Sequence, residues 1–344
     1  MGDIQIFVSH RIDIDSEQIN NPLYVPVRCG AVFDAENPMG IAGDNTGDHI
    51  SERRMSFCEF TVQYWAWKNA QAEYYGLCHY RRFLSFSPKR FKVDESGMVY
   101  VPVLTEGGKR KYGLLDAGAM EREIRNYDIL VSDYAPVKNI PTPNGKQRTV
   151  REMWTAHEGY FFDSKAIELL FRLIDQLAPE YSTSAREYFD GAFHRGYNCY
   201  ILKKDLFFRL CELQFPIMFE VERQLDTTGY TQTMRRTPAF LGEMLYGIFI
   251  YHITTKEQWR TKELQLVYFR DTERTKGPRD FMKRVVFGRL DQAARMVVDP
   301  IMPKGSQRRE ILKDIYYTLT PAKRRGVADI QSEEKGQKTD GEAV

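Results

Sequence analysis

The stretch Tyr74–Phe83 (YYGLCHYRRF) ends in four residues able to do chemistry: His79, Tyr80, Arg81 and Arg82. The preceding apolar run reads as a strand, so these side chains arrive at the carboxyl edge of a sheet. In open α/β sheets that edge is where ligands bind. Two adjacent guanidinium groups stay charged at any working pH, and their planar forks match phosphate oxygens, so the pair suits a diphosphate. The alternative is that both arginines pair with surface carboxylates.

A second stretch, Gly47–Asn69 (GDHISERRMSFCEFTVQYWAWKN), places Asp48, His49 and Ser51 just before a helix start, where free amides bind anions. Ser56 and Glu59 have capping-box spacing, which favours a cap partner over a functional carboxylate for Glu59. Trp65 and Trp67 point about 200° apart on a helix, so one of them is free to stack on a base or sugar, or on the next layer. Glu243 stands in an otherwise apolar helix start, Arg236–Leu245 (RTPAFLGEML). A partly desolvated carboxylate has a raised pKa and can act as a general base; a plain surface anion is the alternative. Asn198, ahead of the CYIL strand, is either a turn residue or a hydrogen-bonding group. His10 and its neighbours Ser9 and Arg11 follow directly on the first apolar run.

Several chemistries are excluded. The sequence has no phosphate-binding G-x-x-x-x-G-K-[ST] loop, no H-E-x-x-H and no G-x-S-x-G. The six histidines do not fall at metal-ligand spacing, and the strand YDILVS (127–132) is followed by Asp133 with no D-x-D. No metal ligand is assigned, and Mg2+ or Mn2+ is left open. Five cysteines, an odd number with no C-x-x-C, favour a reducing compartment. The amino terminus lacks a signal-peptide layout, and no run reaches the roughly 18 apolar residues of a membrane span. A cytoplasmic location is expected, with attachment to the inner face of the plasma membrane as an option. A net charge of +2 gives no reason to expect nucleic acid.

The positioning elements follow from periodicity. Strands are expected at Ile4–Val8, Tyr74–Tyr80, Tyr127–Ser132, Tyr197–Lys203 and Leu264–Phe269. Helices are expected from Ser56 to about Asn69, over Ser164–Leu177, from Asp205 to about Gln224 with a kink at Pro216, and over Phe240–His252. Residues 20–50 read as mostly loop, and 85–120 as an irregular insertion with a weak strand signal near Met98–Leu104. Strands alternating with helices give an α/β fold with an open sheet flanked by helices. It occupies residues 1–269. Residues 270–326 form a basic helical extension, with 15 Lys and Arg against 7 Asp and Glu. Its apolar Phe281, Val285, Val286, Leu290 and Met296 recur at helical spacing, as in helices that lie on an anionic bilayer. A hairpin packed on the domain is the alternative. Residues 327–344 read as a disordered tail.

The strand ending in His10, PLYVPVRCG, DHIS followed by CEFTVQYWAWKN, GLCHYRRF, YNCYILKKDLF and FLGEML together resemble the bacterial family known as domain of unknown function 4422. Its members sit among capsule, exopolysaccharide and O-antigen synthesis proteins and are treated as glycosyltransferases. The resemblance implies a GT-A-like mixed sheet and a nucleotide-sugar donor, such as a UDP-sugar (UDP-galactose in either ring form). It also implies a glycan acceptor on a lipid carrier at the inner membrane surface, and a hexosyltransferase type of reaction. On that reading Arg81 and Arg82 neutralise the diphosphate. His10, Asp48, Ser51, His79 and Tyr80 complete the donor site. Glu243 is the base with Asp190 behind it, and Asn198 and Trp65 meet the acceptor. A catalytically silent sugar- or nucleotide-binding scaffold of an assembly complex is the alternative. Nucleic-acid binding is not expected, because the basic segment offers no stacking surface.

Overall fold

The computed structural model describes residues 3–302 together with 308, 309 and 311. The strands are β1 (Ile4–Arg11), β2 (Tyr24–Cys29), β3 (Ala42–Gly43), β4 (Tyr74–His79), β5 (Arg82–Leu84), β6 (Met98–Val103), β7 (Ile129–Ser132), β8 (Ala135–Pro136), β9 (Phe193–His194), β10 (Tyr200–Lys203), β11 (Thr261–Leu264) and β12 (Leu266–Asp271). The helices are α1 (Arg54–Phe57), α2 (Phe60–Asn69), α3 (Glu106–Lys111), α4 (Ala117–Arg125), α5 (Val150–Thr155), α6 (Ser164–Leu177), α7 (Ser182–Asp190), α8 (Lys204–Gln224), α9 (Thr237–Thr255) and α10 (Pro278–Ile301).

The expected α/β mixed open sheet forms, in the order β3-β2-β1-β4-β10-β7-β11. β1, β2, β3 and β4 are parallel, while β10 runs antiparallel to both β4 and β7. The chain leaves β1 towards β2 and β3, then returns through α1 and α2 to β4 on the other side of β1. That reversal makes the carboxyl ends of β1 and β4 the switch point at which open α/β sheets place their ligand crevice. Because β10 is antiparallel, its amino end, with Asn198, comes to the same edge. Beyond His79 the chain turns back, pairing His79 with Arg82, so that β5 joins β12 and β6 in a side branch.

Alternation along the strands supplies two cores. Phe7, Tyr75, Leu77, Tyr200 and Leu202 face the layer built by α2 and α5 to α9. Ile4, Ile6, Val8, Tyr74, Cys78 and Ile201 face α4, the end of α3 and the side branch. Gly76 lies where three strands crowd, since a Cβ there would sit 2.9 Å from Ile6 and 3.1 Å from Ile201.

Three expectations are corrected. Residues 20–50 contain the buried strand β2; its Pro26 is tolerated because β3 pairs only with Val27 and Arg28. The helix from Ser56 is broken at Cys58, which takes the left-handed φ of 51°. Ser56 lies inside α1 and donates to Glu222 (2.6 Å), so no capping box forms with Glu59. The insertion at 85–120 carries α3 and the first turn of α4, capped by Thr105 and Asp116. In contrast, α6 has the expected bounds, and α8 is one helix with Pro216 inside it. The tail expected at 327–344 lies outside the described residues. No described helix is long and apolar enough to cross a membrane.

Candidate active site

His10, at the end of β1, is buried with Nδ1 2.7 Å from Ser16 Oγ; desolvation pushes its pKa down to about 4, so the ring is neutral. His79 ends β4. Burial, and then the charges of Arg82 and Arg81, hold its pKa well below the usual histidine range. Its Nδ1 accepts from the Arg81 backbone N–H (3.3 Å), which puts the ring proton on Nε2. Tyr80 is buried, 4.3 Å from the His79 ring and 6.2 Å from the His10 ring.

The two arginines are held by aromatic faces. Arg81 lies 5.2 Å from the Tyr80 ring and donates weakly to Tyr268 OH (3.4 Å). Arg82 lies 4.9 Å from the Tyr197 ring and 6.0 Å from that of Tyr268. Neither forms an ion pair with a carboxylate among the described residues, and the buried Nε of each has no hydrogen-bond partner. Cation–π contact holds a guanidinium in place without occupying its donors. Two half-buried guanidinium groups, each with a buried Nε–H left without a partner, are what an incoming polyanion requires.

Glu243, near the start of α9, stands half-buried opposite Arg82. Burial raises its carboxyl pKa and Glu59 adds to the rise, against the pull of Arg82, Arg236 and a hydrogen bond from the Tyr197 backbone. Gly196 makes the fit possible: a Cβ there would lie 2.4 Å from His194 Nε2 and 2.5 Å from Glu243 Oε1. The next two residues, Tyr197 and Asn198, take left-handed φ of 75° and 44°. Such backbone is uncommon outside glycine and marks a position the surroundings force. It turns the Asn198 amide to donate to Glu59 Oε1 (3.3 Å), leaving buried Asn198 Oδ1 without a partner.

The structure therefore gathers His10, His79, Tyr80, Arg81, Arg82, Asn198 and Glu243 at one sheet edge. It adds Glu59, Arg236, Tyr197 and Tyr268, which sequence reasoning missed. Glu59 was concealed by its apparent capping role; Arg236 opens the RTPAFLGEML stretch that contains Glu243. Four candidates lie elsewhere. Asp190, at the end of α7, is 71 % exposed and 3.6 Å from Arg151, so it does not back Glu243. Trp65 packs edge-on against Phe7 and donates to Thr46 (2.9 Å), while Trp67 stacks on Phe215. Asp48 is exposed and accepts from Tyr64 OH (3.2 Å). Ser51 donates to buried Asp44, which also accepts from the Gly30 and Ala31 amides and from Thr61. The anion at that turn is the protein's own carboxylate.

A D-x-D spacing was also overlooked, at Asp13 and Asp15 just beyond β1. Asp13 pairs with Arg11 and Arg54, and Asp15 with Arg274, so both are neutralised by arginines. Among the described residues no three His, Cys, Asp or Glu side chains gather to hold a metal ion, and no step below is routed through one.

The family profile described as "Domain of unknown function (DUF4422)" matches residues 5–256. The chain belongs to this family. The DUF4422 match spans the candidate residues from His10 to Glu243 but not Tyr268, and stops before α10. The apo structure of WbbM, a bifunctional glycosyltransferase, is similar to this DUF4422 chain with a TM-score of 0.71 and 27 % identity, covering 80 % of this chain and 47 % of WbbM. The chain thus spans about half the length of that protein. No significant match is found among curated proteins.

Proposed function

We propose that this chain is a glycosyltransferase of hexosyltransferase type. It takes a sugar from a nucleotide-sugar donor, with a UDP-sugar as first choice, and passes it to a lipid-linked glycan acceptor in capsule, exopolysaccharide or O-antigen synthesis. The observation that carries the reading is the pair of guanidinium groups of Arg81 and Arg82, neither ion-paired with a carboxylate among the described residues, beside Glu243 at the switch point of a GT-A-like sheet. The likeness to WbbM supports it.

The reaction sets three tasks. The diphosphate leaving group gains charge as the glycosidic bond breaks, and preformed cations in a dry site stabilise it without reorganising. Arg81 and Arg82 do this, with the neutral His79 Nε2–H as a further donor. The acceptor hydroxyl must lose a proton. Glu243 is a carboxylate whose pKa is raised towards working pH, which improves it as a base. Donor and acceptor must be held in line; Asn198 Oδ1 is an open acceptor for a sugar hydroxyl.

The test is a thermal-shift screen with UDP, GDP and dTDP, followed by hydrolysis assays of the corresponding sugars. A nucleoside diphosphate should raise the unfolding temperature, and Arg81→Ala with Arg82→Ala should remove the effect. A protein stabilised by a diphosphate yet unable to cleave any of the sugars would be a binding scaffold. A protein stabilised by none of the three would have no donor site here.

A further inference from the structure

α10 lies on the side branch of the sheet by one face only. Gly288 is buried there, its Cα so close that a Cβ would come within 2.6 Å of Pro102, and Tyr100 OH donates to the Gly288 carbonyl (3.2 Å). Arg284, on the same side, pairs with Asp271, Glu273 and Asp280. At 100° per residue the opposite face carries Met282, Val286, Leu290, Val297 and Ile301. All five are exposed, Val297 at 63 % and Ile301 at 64 %, and Phe287 at the margin is 64 % exposed. The expected stripe is corrected in part: Val286 and Leu290 are exposed, Phe281 and Val285 are half-buried and turn towards the domain, the side chain of Met296 lies outside the described residues, and Met282, Val297 and Ile301 join the exposed face.

An apolar face turned away from its own domain along a helix of this length calls for an occupant. We propose that this face seats the protein on an anionic lipid bilayer. Charge selects that occupant. Lys283 and Arg289 border the stripe and Arg279 lies at its amino-terminal end, none with an ion pair among the described residues, and residues 270–326 hold 15 Lys and Arg against 7 Asp and Glu. A second copy of the same face would bring like charges together, whereas lipid phosphates complement them. In such a pose the apolar side chains enter the headgroup boundary and the cations meet the phosphates. The surface lies outside the catalytic crevice, so its test reads vesicle binding and does not depend on sugar transfer.

The experiment is flotation of the full-length protein with vesicles of phosphatidylcholine plus phosphatidylglycerol, against phosphatidylcholine alone. The acidic vesicles should carry the protein and the neutral ones far less. Lys283→Gln with Arg289→Gln should weaken capture roughly 30-fold. Val286→Glu with Leu290→Glu should abolish it, with the unfolding temperature unchanged because both side chains are exposed. Failure of the native protein to float with acidic vesicles, or flotation of the double-glutamate variant as well as the native chain, would overturn the proposal. So would a non-floating dimer, seen by light scattering, that the glutamate pair dissociates; the face would then belong to a second copy.

Discussion

Asn198 and Glu59, separated by 139 positions in the chain, meet across the crevice through Asn198 Nδ2 and Glu59 Oε1 at 3.3 Å. The contact joins the break between α1 and α2 to the entry of β10. It also sets a second carboxylate beside Glu243, where its charge adds to the rise in the Glu243 pKa. Asn198→Asp is nearly isosteric, and Asp tolerates the left-handed backbone. It would face Glu59 with a like charge and raise the Glu243 pKa further. The pH profile of transfer should shift upward; an unmoved profile would separate Asn198 from the titrating group.

Arg82→Lys should fail as a replacement. A lysine keeps the charge but neither presents a fork nor lies flat on the Tyr197 ring. Turnover should fall on the order of a hundredfold, the scale for losing one stabilising donor group, and Arg82→Ala should fall at least as far. Steady-state kinetics of donor cleavage, alongside an unfolding curve showing the variants folded, decides this.

Glu243 gives a prediction whose two halves run in opposite directions. A base acts when ionised, so transfer should rise with pH through the elevated Glu243 pKa, and that limb should vanish in Glu243→Gln. For stability the sign is reversed. A carboxyl with a folded-state pKa above its unfolded value favours the folded state most below the unfolded pKa, and that contribution is lost as pH rises through the folded pKa. Glu243→Gln should therefore be inactive yet at least as stable as the native chain at neutral pH. Urea titrations at acidic and neutral pH would show whether the difference between the two proteins grows as pH rises.

The sheet was legible because buried strands such as Ile4–Val8 and Tyr127–Ser132 are short, bounded apolar runs, and α6 because its apolar stripe ends at Pro179. β2 was hidden by Pro26 and by Asn, Gly and Asp on both sides. The arginines and Glu243 were legible as chemistry placed at element ends. Glu59 was not, because capping-box spacing says nothing of a helix broken at Cys58. Asp190 and Trp65 misled for a related reason: sequence names a residue type, but only packing shows that one faces solvent beside Arg151 and the other packs against Phe7.

Asp44 should matter for stability rather than chemistry. It is fully buried and accepts from two backbone amides and two hydroxyls on three separate segments. Asp44→Ala leaves those donors buried without an acceptor, a loss of about 3–5 kcal/mol. Asp44→Asn, which keeps one acceptor oxygen, should lose less. Chemical denaturation of the two variants would measure the order; equal stability of Asp44→Ala and the native chain would rule out the network.

Gly196→Ala tests the crevice without touching a charge. The new methyl group would fall 2.4 Å from His194 Nε2 and 2.5 Å from Glu243 Oε1, so both contacts must be relieved. His194 is anchored, with Nδ1 3.1 Å from Tyr188 OH, and Tyr188 OH in turn bonds the Arg195 backbone N–H and carbonyl at 3.1 Å each. Glu243 has no comparable side-chain anchor among the described residues, so it is displaced the further of the two. Arg81 and Arg82 lie on another element and stay where they are. The variant should therefore still be stabilised by a nucleoside diphosphate while transfer drops on the order of a hundredfold, as expected for a base displaced by about an ångström. Loss of nucleotide stabilisation together with transfer would mean that the methyl group disturbs the whole edge, and Glu243 would no longer be singled out.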